Sequence, residues 1–186
     1  ILASMFGNTT DCVNFAKAEL DGSGFETLVF HATGTGGRAM ESIIKTGKVH
    51  GVLDITTTEV ADEIVGGVLA AGSDRLGAAG RIGTPTVIVP GCVDMVNFGA
   101  MDSVFEKFLS RCFYRHNDQV TLMRTNPEEN RLIAKFTFLF VVVLFPSAVV
   151  GVLIALLHFV SGVLLLQQIQ SFAVSLQQFL FCWQWQ

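Results

Sequence analysis

The chain has 186 residues and a formal net charge of −4, from 12 basic and 16 acidic side chains. The basic residues form no cluster, which argues against a surface that binds nucleic acid by neutralising its phosphates. The four cysteines contain no C-x-x-C pair, so the sequence favours neither a zinc knuckle nor a disulfide framework, and we expect a reducing compartment.

Two different kinds of sequence meet at Lys135. All charged residues lie at or before this position, and residues 136–186 have none. The sequence therefore predicts a globular domain over residues 1–135 and an uncharged hydrophobic tail over residues 136–186. Residues 136–157 are long enough to span a bilayer, which would make the tail a membrane anchor. We favour the alternative that the tail is translated non-coding sequence, and because the chain begins with Ile1 we expect a fragment or a processed piece.

Apolar runs separated by turn residues predict a repeating strand and helix pattern in the domain. Four runs are predicted as strands: residues 1–7, 27–30, 49–55 and 86–89. Segments with helical spacing are predicted over residues 10–20, 34–47, 56–68 and 105–112, and a last helix begins at Pro127. Residues 72–84 are predicted to be a glycine-rich connection. This alternation is typical of an α/β fold with an open, mostly parallel sheet flanked by helices.

The segment from Thr27 to Met40 has the order strand, glycine turn, helix start. Thr27–Phe30 is an apolar run typical of a strand buried on both faces. Three glycines follow, and this order directs backbone N–H groups and the positive end of a helix dipole toward an anion such as phosphate. Arg38 adds a permanent cation beside them. The segment completes neither G-x-x-x-x-G-K-[ST] nor G-x-G-x-x-G, so a tight turn without a ligand is an equal alternative.

Polar residues follow each predicted strand at the sheet edge where α/β proteins bind ligands. Each has a structural alternative: Thr56 and Glu59 as a capping box, His31 as a packed histidine, and Asp54 and Asp94 as turn formers. Together they predict a ligand site. The candidate ligand-binding residues are His31, Thr33, Gly34, Thr35, Gly36, Gly37, Arg38, Asp54, Thr56, Thr57, Thr58, Glu59, Asp94 and Asn97.

Metal and nucleophile chemistry have less support. His31, Asp54 and Asp94 are chemically able to bind a metal, but no ligand spacing favours it, and we predict no metal site. There is no G-x-S-x-G segment, and Cys92 has no evident base beside it.

Long motifs resemble one protein family: FGNTTDCVN from Phe6, GFETLVFHATGTGGRAME from Gly24, GVLDITTTEVADEIVGGV from Gly51, and VDMVNFG from Val93. They are similar to the second half of the ATP-binding region of a family of uncharacterised bacterial, fungal and plant proteins. That family includes the tomato mosaic virus resistance protein, an inhibitor of viral RNA replication. The resemblance covers Met5 to about Lys135.

The resemblance implies two Rossmann-like halves in tandem, ATP as the ligand with Mg²⁺ as an optional companion, a cytoplasmic location, and in many plant members a barrel domain that follows. It implies no established reaction. The first Rossmann-like half is missing from this chain. Beyond Lys135 the family continues as a charged amphipathic helix, unlike this chain.

We therefore predict a domain that binds a nucleotide or another phosphate-bearing small molecule at the carboxyl ends of its strands. Residues 35–37 would supply backbone donors, Arg38 a charge partner, and residues 56–59 hydroxyl or carboxylate contacts. One alternative is an enzyme in which Asp54, Glu59 or Asp94 handles protons or magnesium. The other is a protein-interaction module. The expected partners are the missing first half, a second copy of the chain or another protein, and direct nucleic-acid binding is not expected.

Overall fold

The computed structural model describes residues 1–144, which contain a four-stranded parallel sheet. Its strands are β1 (Leu2–Met5), β2 (Leu28–His31), β3 (Val52–Thr56) and β4 (Thr86–Gly91). They lie side by side in the order β2-β1-β3-β4. The predicted α/β class and parallel sheet are confirmed. Strands that are connected through a crossover helix pair in parallel.

Within the described residues, five helices connect or flank the strands: α1 (Thr10–Gly22), α2 (Thr35–Ile44), α3 (Thr58–Val65), α4 (Gly77–Ile82) and α5 (Pro127–Leu144). In α2, Met40 and Ile44 are buried one turn apart, as the spacing predicted. The helix start at Pro127 is also confirmed. Asn126 Oδ1 accepts hydrogen bonds from the N–H groups of Glu128 and Glu129, and Glu129 Oε2 accepts the N–H of Asn126, so this end is a capping box.

Residues 95–124 differ from the prediction. The helix expected over residues 105–112 is wrong: the structure has short 3₁₀ turns at Met101–Ser103 and Glu106–Phe108. These turns lie between the first and second strands of a small antiparallel sheet, which consists of β5 (Met95–Phe98), β6 (Phe113–Arg115) and β7 (Thr121–Arg124) in the order β5-β7-β6. Phe108 packs in one apolar cluster with Val96, Phe98 and Met123, so it contacts this sheet and does not belong to a helical stripe.

Three local predictions are corrected. The connection over residues 72–84 contains α4, which its small residues allow. The helix predicted over residues 56–68 ends before Val68, because Gly66 adopts a left-handed conformation with φ of 101° and stops the helix. β2 is an edge strand with Leu28 46% exposed, not a strand buried on both faces. An apolar run in the sequence does not show which helices or strands will pack against it.

Within residues 1–144, no helix is long and apolar enough to span a bilayer. The span predicted over residues 136–157 and most of the tail lie outside the described residues. Helix α5 crosses the predicted boundary at Lys135. The division into a domain and a tail remains a prediction.

Candidate functional site

The carboxyl edge of the parallel sheet contains a topological switch point between β1 and β3. The chain goes from β1 to its neighbour β2 on one side and then crosses to β3 on the other side. The loops after β1 and β3 therefore diverge here, as they do at ligand crevices of open α/β sheets. Asn8 lies exposed in the first loop, and Thr9 Oγ1 is 2.7 Å from Thr56 Oγ1 at the end of β3.

The glycine loop lies at the same carboxyl edge, where it follows β2 and begins α2. Gly34 precedes the helix with a φ of 79°, a conformation that favours glycine. The N–H groups of Gly34 and Gly37 both donate to Oε1 of Glu59, at 2.6 and 3.0 Å. A carboxylate of this chain thus accepts two of the donors at the positive end of α2, in the manner of a bound anion.

The loop glycines pack against the protein itself. A Cβ atom at Gly36 would overlap the carbonyl oxygen of His31, and one at Gly37 would overlap the Glu59 carboxylate. At Gly34 it would lie 2.8 Å from the carbonyl oxygen of Ala70. These contacts are sufficient to require glycine at all three positions. They favour the tight-turn interpretation of the glycines over close approach to a phosphate.

Arg75 is buried at the centre of three carboxylates. Its Nε donates to Glu59 Oε2 at 2.7 Å, its Nη2 donates to Asp54 Oδ1 at 2.7 Å, and its Nη1 lies 3.4 Å from Glu41 Oε1. Burial acts to lower the pKa of Arg75, but Asp54 and Glu59 outweigh it and raise that pKa. Three carboxylates around one guanidinium leave a net negative interior, which hydrogen bonds must compensate.

Neighbouring N–H and O–H groups supply that compensation. Glu41 accepts hydrogen bonds from the N–H groups of Leu76 and Ala78, at 2.6 and 2.9 Å. Burial nevertheless raises its pKa. Ser4 Oγ donates to Asp54 Oδ1 at 2.6 Å. We call Glu41, Asp54, Glu59 and Arg75 the buried charge cluster.

A profile described as the C-terminal domain of the uncharacterised protein family UPF0261 matches residues 1–141. The chain belongs to the UPF0261 family. A UPF0261 protein of Clostridium tetani is 59% identical over 133 residues, which are 72% of this chain and 33% of that protein. One from Rhizobium meliloti is 53% identical over the same shares. The chain thus spans about a third of these bacterial relatives.

The tomato relatives add a comparison within one species. The ToMV resistance protein Tm-1 of Solanum lycopersicum is 53% identical over 72% of this chain and 18% of its own length. The ToMV susceptible protein tm-1 is 52% identical over the same shares. Because both match almost equally, the similarity of this UPF0261 domain does not distinguish resistance from susceptibility.

The predicted site residues of this UPF0261 domain differ in their exposure to solvent. His31, Thr35, Arg38 and Asp94 are exposed, and Thr33 and Gly36 are half-buried. Gly34, Gly37, Asp54, Thr56, Thr57, Thr58, Glu59 and Asn97 are buried. The side chains of residues 56–59 point into the protein, so the contacts predicted from them are made within this chain.

The capping box proposed for Thr56 and Glu59 is wrong. Glu59 accepts a hydrogen bond from the glycine loop, and α3 begins after Thr57 without a side-chain cap.

Asn97 belongs to a second buried cluster, with Asp62. Its N–H and its Nδ2 donate to Asp62 Oδ1 at 2.9 and 3.1 Å, and the N–H of Leu69 donates to Oδ2 at 2.8 Å. Burial raises the pKa of Asp62 from 3.8 to about 6. This cluster joins α3 to β5 and fixes the small antiparallel sheet against the helix.

Sequence reasoning missed Glu41, Asp62 and Arg75. Glu41 had a signal: it lies on the same helical stripe as Met40 and Ile44, where a charged residue needs a buried partner. Arg75 had none, because it follows a run of small residues that was interpreted as a flexible connection. Its role depends on strand β3 and helices α2 and α3, which converge around it.

Proposed function

We propose that this chain forms one wall of a nucleotide site, with ATP as the expected ligand, and that the rest of the longer UPF0261 protein forms the other wall. The observation that carries the proposal is the position of the α2 amino terminus and Arg38 at the carboxyl edge, beside the switch point. Open α/β sheets bind ligands at such crevices. The resemblance to an ATP-binding region supports the same ligand.

The contacts we propose come from the exposed side of the loop. Gly34 and Gly37 donate to Glu59, which leaves the N–H groups of Thr35 and Gly36 in the first turn of α2 as donors for a phosphate. Arg38 is exposed, and its Nη1 donates to the carbonyl oxygen of Ala70 at 2.8 Å. Its remaining guanidinium hydrogens suit a phosphate oxygen. Since Glu59 offsets much of the helix dipole, Arg38 supplies most of the attraction.

We assign no Mg²⁺ ligand in this chain. Asp54 and Glu59 are buried and paired with Arg75, so neither is exposed to a ligand at the carboxyl edge. A magnesium ion that accompanies ATP would be held by the phosphates and by water, as this ion commonly is.

The two alternatives have weaker support. An enzyme that used Asp54 or Glu59 to move protons would first have to separate each from Arg75. Burial, with the nearby Asp94 carboxylate, raises the pKa of Cys92 to about 11, which makes its thiol a poor nucleophile at neutral pH. An interaction module is suggested by the names of the tomato proteins, but the susceptible protein matches as well as the resistance protein.

The test uses a chimaera in which residues 1–135 replace the matching region of the Clostridium tetani protein. Calorimetry with ATP should show binding by the chimaera and at least tenfold weaker binding by the present chain. Arg38→Ala should weaken ATP binding by roughly 1.5–3 kcal/mol, as for one charge-assisted hydrogen bond, and more strongly at low salt. Lys48→Ala is the control, because Lys48 is exposed near the opposite end of the strands.

Two results would contradict the proposal. One is a chimaera that folds and does not bind ATP. The other is equal affinity for the Arg38→Ala and Lys48→Ala chimaeras, which would place the nucleotide elsewhere in the protein.

A further inference from the structure

The two faces of the parallel sheet are covered unequally within residues 1–144. On one face, α1 packs through Val13 against Ala3 and Ile55. On the other face, Ile88 packs with side chains of α3 and α5, such as Val60 and Ile133. Parallel sheets are normally covered on both faces. In the part of the chain that the structure describes, one face has several helices and the other has α1 alone.

The part of the α1 face over β3 and β4 is apolar and open to solvent. Val87 is 58% exposed and Val89 is 38% exposed. Side chains alternate along a strand, and Ile88 faces the other helices, so Val87 and Val89 lie on the face of α1. Leu53, paired with Val87 in the register, is only half-buried on the same face.

Helix α1 leaves Val87 and Val89 uncovered. It packs on the sheet through Val13, and Lys17 Nζ donates to the carbonyl oxygen of Thr27, so that flank of α1 is turned toward β2. We call Leu53, Val87 and Val89 the open-face patch.

We propose that the open-face patch packs against an amphipathic helix from the part of the longer UPF0261 polypeptide that lies outside the matched third. The relatives have that additional polypeptide, because the match covers only 33% of the bacterial proteins. Two neighbouring strands about 4.8 Å apart offer a strip about as wide as one helix of roughly 10 Å. Proline in an edge strand disfavours pairing with a further strand, so Pro90 in β4 favours a covering helix over an added strand.

The test places a charge in the patch and compares two proteins. Val87→Lys should change the melting temperature of the present chain by less than about 1 °C, because Val87 is solvent-exposed there. In the chimaera with the Clostridium tetani protein, the same change should lower the melting temperature by several degrees, because a buried ammonium loses its hydration. Val68→Lys is the matched control, since Val68 is 61% exposed in the loop after α3. It should have little effect in either protein.

A milder variant keeps the result interpretable if the Val87→Lys chimaera does not fold. Val87→Thr preserves the side-chain shape and should lower the chimaera's melting temperature by a smaller amount, with no change in the present chain. An unaffected chimaera, or equal losses in both proteins, would overturn the proposal. So would sedimentation showing that the present chain dimerises and that Val87→Lys dissociates the dimer, because a second copy would then cover the patch.

Discussion

Arg75 and Glu59 form a salt bridge in which both side chains are withdrawn from solvent, with 2.7 Å between Nε and Oε2. Glu59 uses its other oxygen to accept the N–H groups of Gly34 and Gly37. One carboxylate therefore joins the start of α2 to the connection that follows α3. The loop that resembles a phosphate site is fixed in place by a buried ion pair.

Replacing Arg75 should be among the most destabilising single changes in the domain. Arg75→Gln leaves Glu41, Asp54 and Glu59 buried without their cation, which typically costs about 3–5 kcal/mol. Urea unfolding at pH 7 measures the loss. Arg81→Gln is the control, because Arg81 is a partly exposed arginine of α4 and should change the free energy of unfolding by about 0.5 kcal/mol or less. A loss below about 1 kcal/mol for Arg75→Gln would show that the carboxylates do not need this cation.

Asp62 should make the domain less stable as the pH rises from about 4 to about 6. Its folded-state pKa is about 6, above the ordinary value of 3.8, so the folded protein binds more protons than the unfolded chain in this range. The free energy of unfolding is therefore higher near pH 4 and decreases as Asp62 ionises. The decrease is at most about 1.4 kcal/mol for each pH unit by which the pKa is raised. Above about pH 6 this contribution is constant.

The measurement compares the chain with Asp62→Asn by urea unfolding at several pH values. The difference in unfolding free energy should shift in favour of the Asn variant between pH 4 and 6 and then level off. Asp11→Asn, an exposed change in α1, is the control. Parallel stability curves for the chain and Asp62→Asn would contradict the raised pKa.

Gly36→Ala should destabilise the domain even without any ligand. The added Cβ would overlap the carbonyl oxygen of His31, and such overpacking costs roughly 1–3 kcal/mol or more. Gly22→Ala is the matched control, because nothing lies within 4 Å of a Cβ at Gly22, the last residue of α1. It should be neutral or slightly stabilising. An unchanged unfolding curve for Gly36→Ala would restore the interpretation that the glycine serves a ligand.

Periodicity and turn residues predicted most of the parallel half of the fold. Strands β1 to β4, helix α2 and the start of α5 at Pro127 follow from local spacing, and local spacing is what sequence reports directly. The antiparallel sheet was missed because its strands of three or four residues pair across up to about thirty positions. The spacing of Phe105, Phe108 and Leu109 led to a wrong prediction of a helix over residues 105–112. In the structure Phe108 packs against Phe98 of the antiparallel sheet, and this tertiary contact determines the local conformation.

In the candidate site, too, some features follow from the local sequence and others depend on tertiary contacts. The sequence by itself determined that polar residues collect at the carboxyl ends of the strands and that a glycine turn begins α2, because both are local properties of the chain. Only the tertiary structure decided which of these residues reach solvent. The partner of the glycine N–H groups is Glu59, 25 residues from Gly34, and its counter-ion Arg75 lies 16 residues further on. Such pairings depend on which elements the packed sheet brings together, and buried charges must find partners there because water cannot solvate them.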